Sequence, residues 1–281
     1  MNRKNNRDNR ETFSGEHLSL KDLKDKHLEN GYLWNEVTLL PMPVEFHVPR
    51  VVHVTDSVGV WGILTDKGFQ VNCDSRAKKG WGFLWWSLFI SQHDIEEAER
   101  WFLIRYLPGW RPKQDFLQKP FLDEFATSPA FQEGSRYGNF KFTFPLSVLL
   151  QQYSKQFCSG RKPLLRVFET VVYKQEILYS VLIHDPYDNS FEQYPVLADR
   201  SDSISQKPDD SICGLKGYHF IWKAWAISTP CKFILDKDRE SNTVSTKKMP
   251  REKYYVWQNV ALAFHVPQAD KEQHGSLPLE L

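Results

Sequence analysis

Leu164-Leu165-Arg166-Val167-Phe168-Glu169-Thr170-Val171-Val172-Tyr173, followed after Lys174-Gln175 by Glu176-Ile177-Leu178-Tyr179-Ser180-Val181-Leu182-Ile183-His184, is rich in β-branched and aromatic residues. That texture predicts one strand over residues 164–173 and a second over 179–184, the latter stopped by Asp185-Pro186. Strict alternation along the first strand places Val167, Glu169, Val171 and Tyr173 on one face and Phe168, Thr170 and Val172 on the other. A carboxylate among such apolar neighbours is unusual for a plain solvent face. It marks Glu169 for attention.

Upstream, the pattern repeats with shorter pieces. Phe46-His47-Val48 and Val51-Val52-His53-Val54 read as strands separated by Pro49. Val60, Ile63 and Leu64 are spaced for a short helix, and Gly68-Phe69-Gln70-Val71 reads as strand again. Residues 83–90 are an apolar, aromatic strand containing Trp85 and Trp86. Asp94 is placed to cap a helix carrying Ile95, Ala98, Trp101, Phe102 and Arg105. Phe140-Lys141-Phe142-Thr143-Phe144 alternates as a strand should, and a short helix is predicted over 146–153. Downstream, residues 219–227 and 254–266 are strand-like.

Many short strands with few helices between them define an α+β class with mostly antiparallel sheets. No glycine-rich dinucleotide or P-loop fingerprint follows any strand, which argues against a Rossmann or P-loop nucleotide site. The predicted organisation is a flexible polar arm over 1–30, a main domain over 31–197 and a linker over 198–215. Additional strands over 216–266 pack on the same domain, and a polar tail covers 267–281.

The chain has 281 residues, 41% of them apolar, with ten Trp, nineteen Phe and eleven Tyr, enough for a substantial core. A formal net charge of +1 argues against a general electrostatic trap for nucleic acid or anionic membrane. Cys73, Cys158, Cys213 and Cys231 form no close pair, so reduced thiols are expected rather than a zinc knuckle or redox motif. The polar N-terminus carries no apolar signal-peptide region, and no uncharged run reaches the ~18 residues of a spanning helix. Cytoplasm or nucleus is the expected setting, with no metal, no membrane and a monomer.

Two segments together resemble the catalytic core of the poly(ADP-ribose) polymerase family. Val51-Val52-His53-Val54-Thr55, with Ile63-Leu64 and Gly68-Phe69, is similar to the family's first strand, short helix and following turn. The stretch from Phe168 to Ile183 resembles the family's glutamate strand, its turn and the next strand. The resemblance covers about half the chain and implies an ADP-ribosyltransferase-like fold of split antiparallel sheets with short helices. It implies NAD as substrate, Glu169 as catalytic carboxylate and His53 as a ribose-hydroxyl partner. The pocket lining it implies consists of Val54 and Thr55 beside His53, Trp85 or Trp86 stacked on nicotinamide, and Trp101 as a second aromatic. Arg76, with Lys78 and Lys79, holds the place of the family's donor loop and would meet the pyrophosphate of NAD.

The chemistry follows from the residue types. Cleaving the nicotinamide–ribose bond builds positive charge on the ribose, and a fixed carboxylate stabilises it. Val54 stands where the family has Gly, and tryptophans stand where it has Tyr. The resemblance therefore implies either a mono-ADP-ribosyltransferase acting on a protein or nucleic-acid acceptor, or a pseudoenzyme serving as a protein or RNA interaction module. Antiviral and chromatin-silencing roles are both known in that family. An unrelated α+β binding domain is the third reading.

Overall fold

Where the chain alternates in sequence, the computed structural model shows strands, and where it is apolar on every residue, those strands lie at the centre. The structure describes residues 3–5, 10–26, 28, 44–71, 81–106, 138–173, 176–197, 212–224, 233–237, 244–248, 257–267 and 279.

The N-terminal strands β1 (Arg3–Asn5) and β2 (Glu11–Ser14) precede helix α1 (Leu20–Asp25). β3 (Val44–Val48) and β4 (Arg50–Thr55) follow, then α2 (Ser57–Asp66), β5 (Trp81–Leu88) and α3 (Gln92–Tyr106). β6 (Phe140–Pro145) runs directly into α4 (Leu146–Phe157). The pair β7 (Leu164–Tyr173) and β8 (Glu176–His184) comes next, and after it the short strands β9 (Cys213–Lys216) and β10 (His219–Ala224). A hairpin of β11 (Phe233–Lys237) and β12 (Val244–Lys248) precedes β13 (Trp257–Pro267).

Eight strands form one sheet in the order β1-β2-β7-β8-β13-β5-β4-β6. Among the described residues, the β8–β13 pairing in it is parallel and the rest are antiparallel. A second sheet, β3-β10-β9, packs across one face of the first and shares one core with it. The class is α+β with mostly antiparallel sheets and few helices.

Pro49 explains why β3 and β4 part company. It lacks an N–H for a ladder, and the chain on either side of it enters different sheets. α2 starts at Asp56, whose carboxylate accepts from Gly59 N at 2.8 Å, and stops at Lys67, which turns left-handed. α4 buries Leu146, Leu149, Leu150 and Tyr153, one helical stripe, against the shared core.

Several expectations are revised. Ser91, not Asp94, caps α3: Asp94 N bonds Ser91 Oγ, while Asp94 accepts from Ser91 N and Oγ in a capping box. The polar arm is part of the fold from residue 10 to 26. Phe13, Leu18 and Leu23 lie in the core, and β2 pairs with β7. Sparse apolar residues at the right spacing were enough to bury one side of it. Of the additional strands expected over 216–266, β13 inserts between β8 and β5 of the main sheet, and its residues 258–266 are all buried. In the polar tail, Leu279 is fully buried and exchanges both backbone hydrogen bonds with Phe69. Of the linker expected over 198–215, residues 198–211 lie outside the described residues, while Cys213, Gly214 and Leu215 are buried in β9.

Candidate functional site

The eight-stranded sheet has two unlike faces. One packs on the three-stranded sheet and carries Tyr179, Val181, Ile183, Val260, Leu262, Phe264, Leu84 and Trp86. Across the strands of the other face runs a row of mostly small residues: Glu169 opposite Ser180, Ser180 opposite Ala261, Ala261 opposite Ser87, and Ser87 opposite Val52. Beside it runs a row with Leu182, Ala263 and Trp85.

Glu169 reaches this face because β7 is irregular between Val167 and Glu169. Val167 pairs with Val181 on the core face, and Glu169 pairs with Ser180 on the opposite face. The extra residue, Phe168, joins Glu169 there. A bulge of this kind re-aims side chains that plain alternation would place elsewhere. The sequence reading that grouped Glu169 with Val167 is corrected by it.

Phe168 builds an aromatic wall with Trp85, 6.4 Å between ring centroids, and with Phe83, at 5.4 Å. Trp85 is 40% exposed, whereas its neighbour Trp86 is 1% exposed. Phe168 is anchored from behind by Leu182, Phe191 and Tyr194. Burial pushes the Glu169 carboxyl above its ordinary value, and the nearby Arg10 guanidinium offsets part of that rise. Among the described residues none donates a hydrogen bond to that carboxylate. Ser180 Oγ beside it is fully buried and also unpartnered. At the far margin of the same face, Arg50 and Lys141 lie over the Phe89 ring at 4.7 and 5.3 Å.

His53 is elsewhere. It is adjacent to Val52 and so points to the opposite face, with its ring 5.4 Å from Trp86 and 5.2 Å from Phe69. Its Nδ1–H donates to the Trp85 carbonyl at 2.9 Å, and burial lowers its pKa. β8, β13 and β5 lie between the strand of Glu169 and the strand of His53. At ~4.8 Å per strand, that is ~19 Å before the difference of face is counted.

The other sequence-selected residues divide in the same way. Trp85 and Val54 share the face of Glu169 by alternation, while Trp86 and Thr55 share that of His53. Trp101 is 59% exposed on α3, which packs against β3 on the core side, and it lies under Arg100 rather than near Trp85. Arg76, Lys78 and Lys79 fall outside the described residues. Phe168 and Ser180 are the members that sequence reading missed. The bulge hid the first, and a lone serine in an apolar strand gave no signal.

A second polar cluster sits lower on this face, buried under residues 185–197. Arg166 Nε–H donates to His184 Nε2 at 2.9 Å and its Nη1 to the Tyr194 carbonyl at 2.7 Å. His265 Nδ1 lies 3.3 Å from Asp188 Oδ2, and burial lowers the pKa of both histidines. With Phe191 packed on both rings, this cluster fastens the 185–197 segment to the sheet. On the core side, His17 Nε2–H donates to the Ser180 carbonyl at 2.8 Å. Its Nδ1 lies 3.4 Å from the Cys213 sulfur, and burial lowers its pKa to about 4.

Among the described residues no group of three or more His, Cys, Asp or Glu side chains is arranged to hold a metal ion. Nor is any described helix long and apolar enough to cross a membrane, a statement that leaves strand-built spans untouched. Comparison with protein-family models, with curated proteins and with solved structures finds no match to this chain.

Proposed function

We propose that the face carrying Trp85, Phe168 and Glu169 binds the nicotinamide-riboside end of NAD, and that the protein is an ADP-ribosyltransferase of split-sheet fold. The observation that carries this reading is a partly desolvated carboxylate, with no hydrogen-bond donor among the described residues, on the same sheet face as the partly exposed Trp85 and the Phe168 ring packed near it. The nicotinamide ring of NAD is a planar cation. An aromatic face attracts such a ring through its quadrupole, by about 0.5–2 kcal/mol. The same wall orients the ring for bond cleavage.

The adjacent carboxylate then does two things. It accepts a ribose hydroxyl, and it opposes the positive charge that grows on the ribose as the ring departs. Partial burial strengthens that interaction by removing competing water. The acceptor is a protein or nucleic-acid nucleophile.

The test is transfer or hydrolysis of labelled NAD by the purified chain. Activity in the native protein and its loss in a folded Glu169→Gln variant support the reading; activity untouched by Glu169→Gln removes Glu169 from it.

One observation favours a second reading, a non-catalytic member of the same fold serving as a protein or RNA interaction module. His53, the ribose partner that the family resemblance implies, lies half-buried on the opposite face of the sheet and donates to the Trp85 carbonyl. A ligand lying on Trp85 does not reach it. Absence of any NAD binding by the native chain, with RNA or protein capture intact, selects this reading.

A further inference from the structure

Residues 185–197 lie over one end of the sheet face that carries Trp85, and three kinds of contact tie them down. At the far end the tie is backbone: Val167 N donates to the Pro195 carbonyl at 2.7 Å and Leu197 N to the Leu165 carbonyl at 2.8 Å. In the middle it is aromatic. Phe191 is fully buried against the His184 and His265 rings, at 5.0 and 4.7 Å, and Tyr194 meets Phe168 edge-on at 5.0 Å. Phe168 and Leu182 of the sheet are closed over in one apolar cluster with Phe191 and Tyr194. The third tie is polar, through Arg166 to the Tyr194 carbonyl and through His265 to Asp188.

That polar tie suits one protonation state only. His184 on β8 and His265 on β13 are neighbours, one step beyond the Ile183–Phe264 pair of the parallel ladder, and both are buried. His184 Nε2 accepts from Arg166 Nε–H at 2.9 Å, so this nitrogen presents a lone pair and no proton. His265 turns Nδ1 toward Asp188, and its Nε2 is buried without a hydrogen-bond partner. A second proton on His184 would face a guanidinium N–H, and one on His265 would find no acceptor.

The charged groups around the pair are Arg166 from β7, and Asp185 and Asp188 from the segment itself. Phe83 from β5 and Phe191 bring no charge, and Tyr153 from α4 reaches only the His265 backbone carbonyl. Burial lowers the pKa of both rings from 6.5, so the closed packing holds them neutral. A form in which they meet water takes up protons first, and below pH 6.5 acid favours that form.

We infer that residues 185–197 are an acid-released strap: charging His184 and His265 beside Arg166 lifts the strap from the sheet and uncovers Phe168 and Leu182 next to Trp85. The rest of the sheet stays folded when this happens. The strap goes beyond the NAD reading and does not depend on it, because its latch is built from groups that touch neither Glu169 nor Trp85.

The experiment is hydroxyl-radical footprinting of the full chain at about pH 7.5 and about pH 5, read residue by residue by mass spectrometry. Phe191 and Tyr194 report the strap, and the fully buried Phe46 and Trp222 report the core. The expected result is that modification of Phe191 and Tyr194 rises about tenfold or more in acid while Phe46 and Trp222 stay protected. His184→Gln keeps an acceptor for Arg166 and does not titrate, and with His265→Gln added no ring is left to charge. In that double variant Phe191 and Tyr194 should be modified equally at both pH values.

Strap residues of native protein that stay protected in acid overturn the proposal, as does exposure of Phe46 and Trp222 in step with them. A full acid response in the double variant, with thermal melting showing it folded, overturns the two histidines as the latch. Should the double variant not fold, the native comparison against its own core residues decides alone.

Discussion

The two faces of the eight-stranded sheet are made from the same strands, yet they have been put to different uses. On the core face, Trp86, Tyr179 and Phe264 are at most 1% exposed and packed against the second sheet. On the other face, Trp85 is 40% exposed and pairs with Ala263, and the neighbouring row carries Ala261, Ser180 and Glu169. Adjacent tryptophans on one strand thus lie one in the core and one partly open on the opposite face. Sequence neighbours diverge because a strand alternates. The bulge at Phe168 is what brings a carboxylate to the face of Trp85.

The comparison is most easily broken with the tryptophans. Trp86→Ala empties the core at one of its two largest fully buried side chains and should cost about 3–5 kcal/mol of stability, read by urea unfolding. Trp85→Ala should cost under about 1 kcal/mol by the same measurement, because much of its ring already faces water. Equal losses at the two positions would erase the distinction between the faces.

Acid sharpens the contrast next. His17 is held neutral on the core side, with its pKa lowered from 6.5 to about 4 by burial. The unfolded chain takes up that proton first as pH falls. Stability from this group is therefore complete above pH 6.5 and is lost progressively down to about 4, on the order of 1.4 kcal/mol per pH unit at its steepest. His184 and His265 shift in the same direction and add to the slope. Unfolding midpoints at successive pH values in this window measure it, and replacing His17 with Gln should flatten the curve.

Glu169 gives the smallest stability effect and the opposite sign. Its carboxyl is raised above 4.5 by burial, so folding favours the protonated form. The native chain is relatively more stable below 4.5 and loses that advantage as pH rises through the folded value. Glu169→Gln should accordingly be slightly more stable than native protein at neutral pH and no more stable in acid, as thermal melts at both would show.

Much of this architecture was legible in the chain, and the reasons are specific. The pair 164–173 and 179–184 carries long β-branched runs, and its apolar-throughout second member reads as a central strand. Pro49 and Pro145 mark element ends that hold. The N-terminal residues were less legible. Phe13, Leu18 and Leu23 are few and scattered among charges, and only the pairing of β2 with β7 makes them core. The partition of site residues was illegible for a different reason. A bulge changes which residues share a face without changing composition or periodicity over any long window. The sequence grouping of His53 with Glu169 came from a family resemblance, whereas the ladder places them on opposite faces with three strands between.

The most direct test of the account is calorimetric titration with NAD of the native chain, Trp85→Ala, Glu169→Gln and His53→Ala, each confirmed folded. The account predicts that native protein binds, that Trp85→Ala and Glu169→Gln each weaken binding several-fold or more, and that His53→Ala binds within about twofold of native. Binding abolished by His53→Ala and untouched by Trp85→Ala would contradict it, and would move the site to the other face of the sheet.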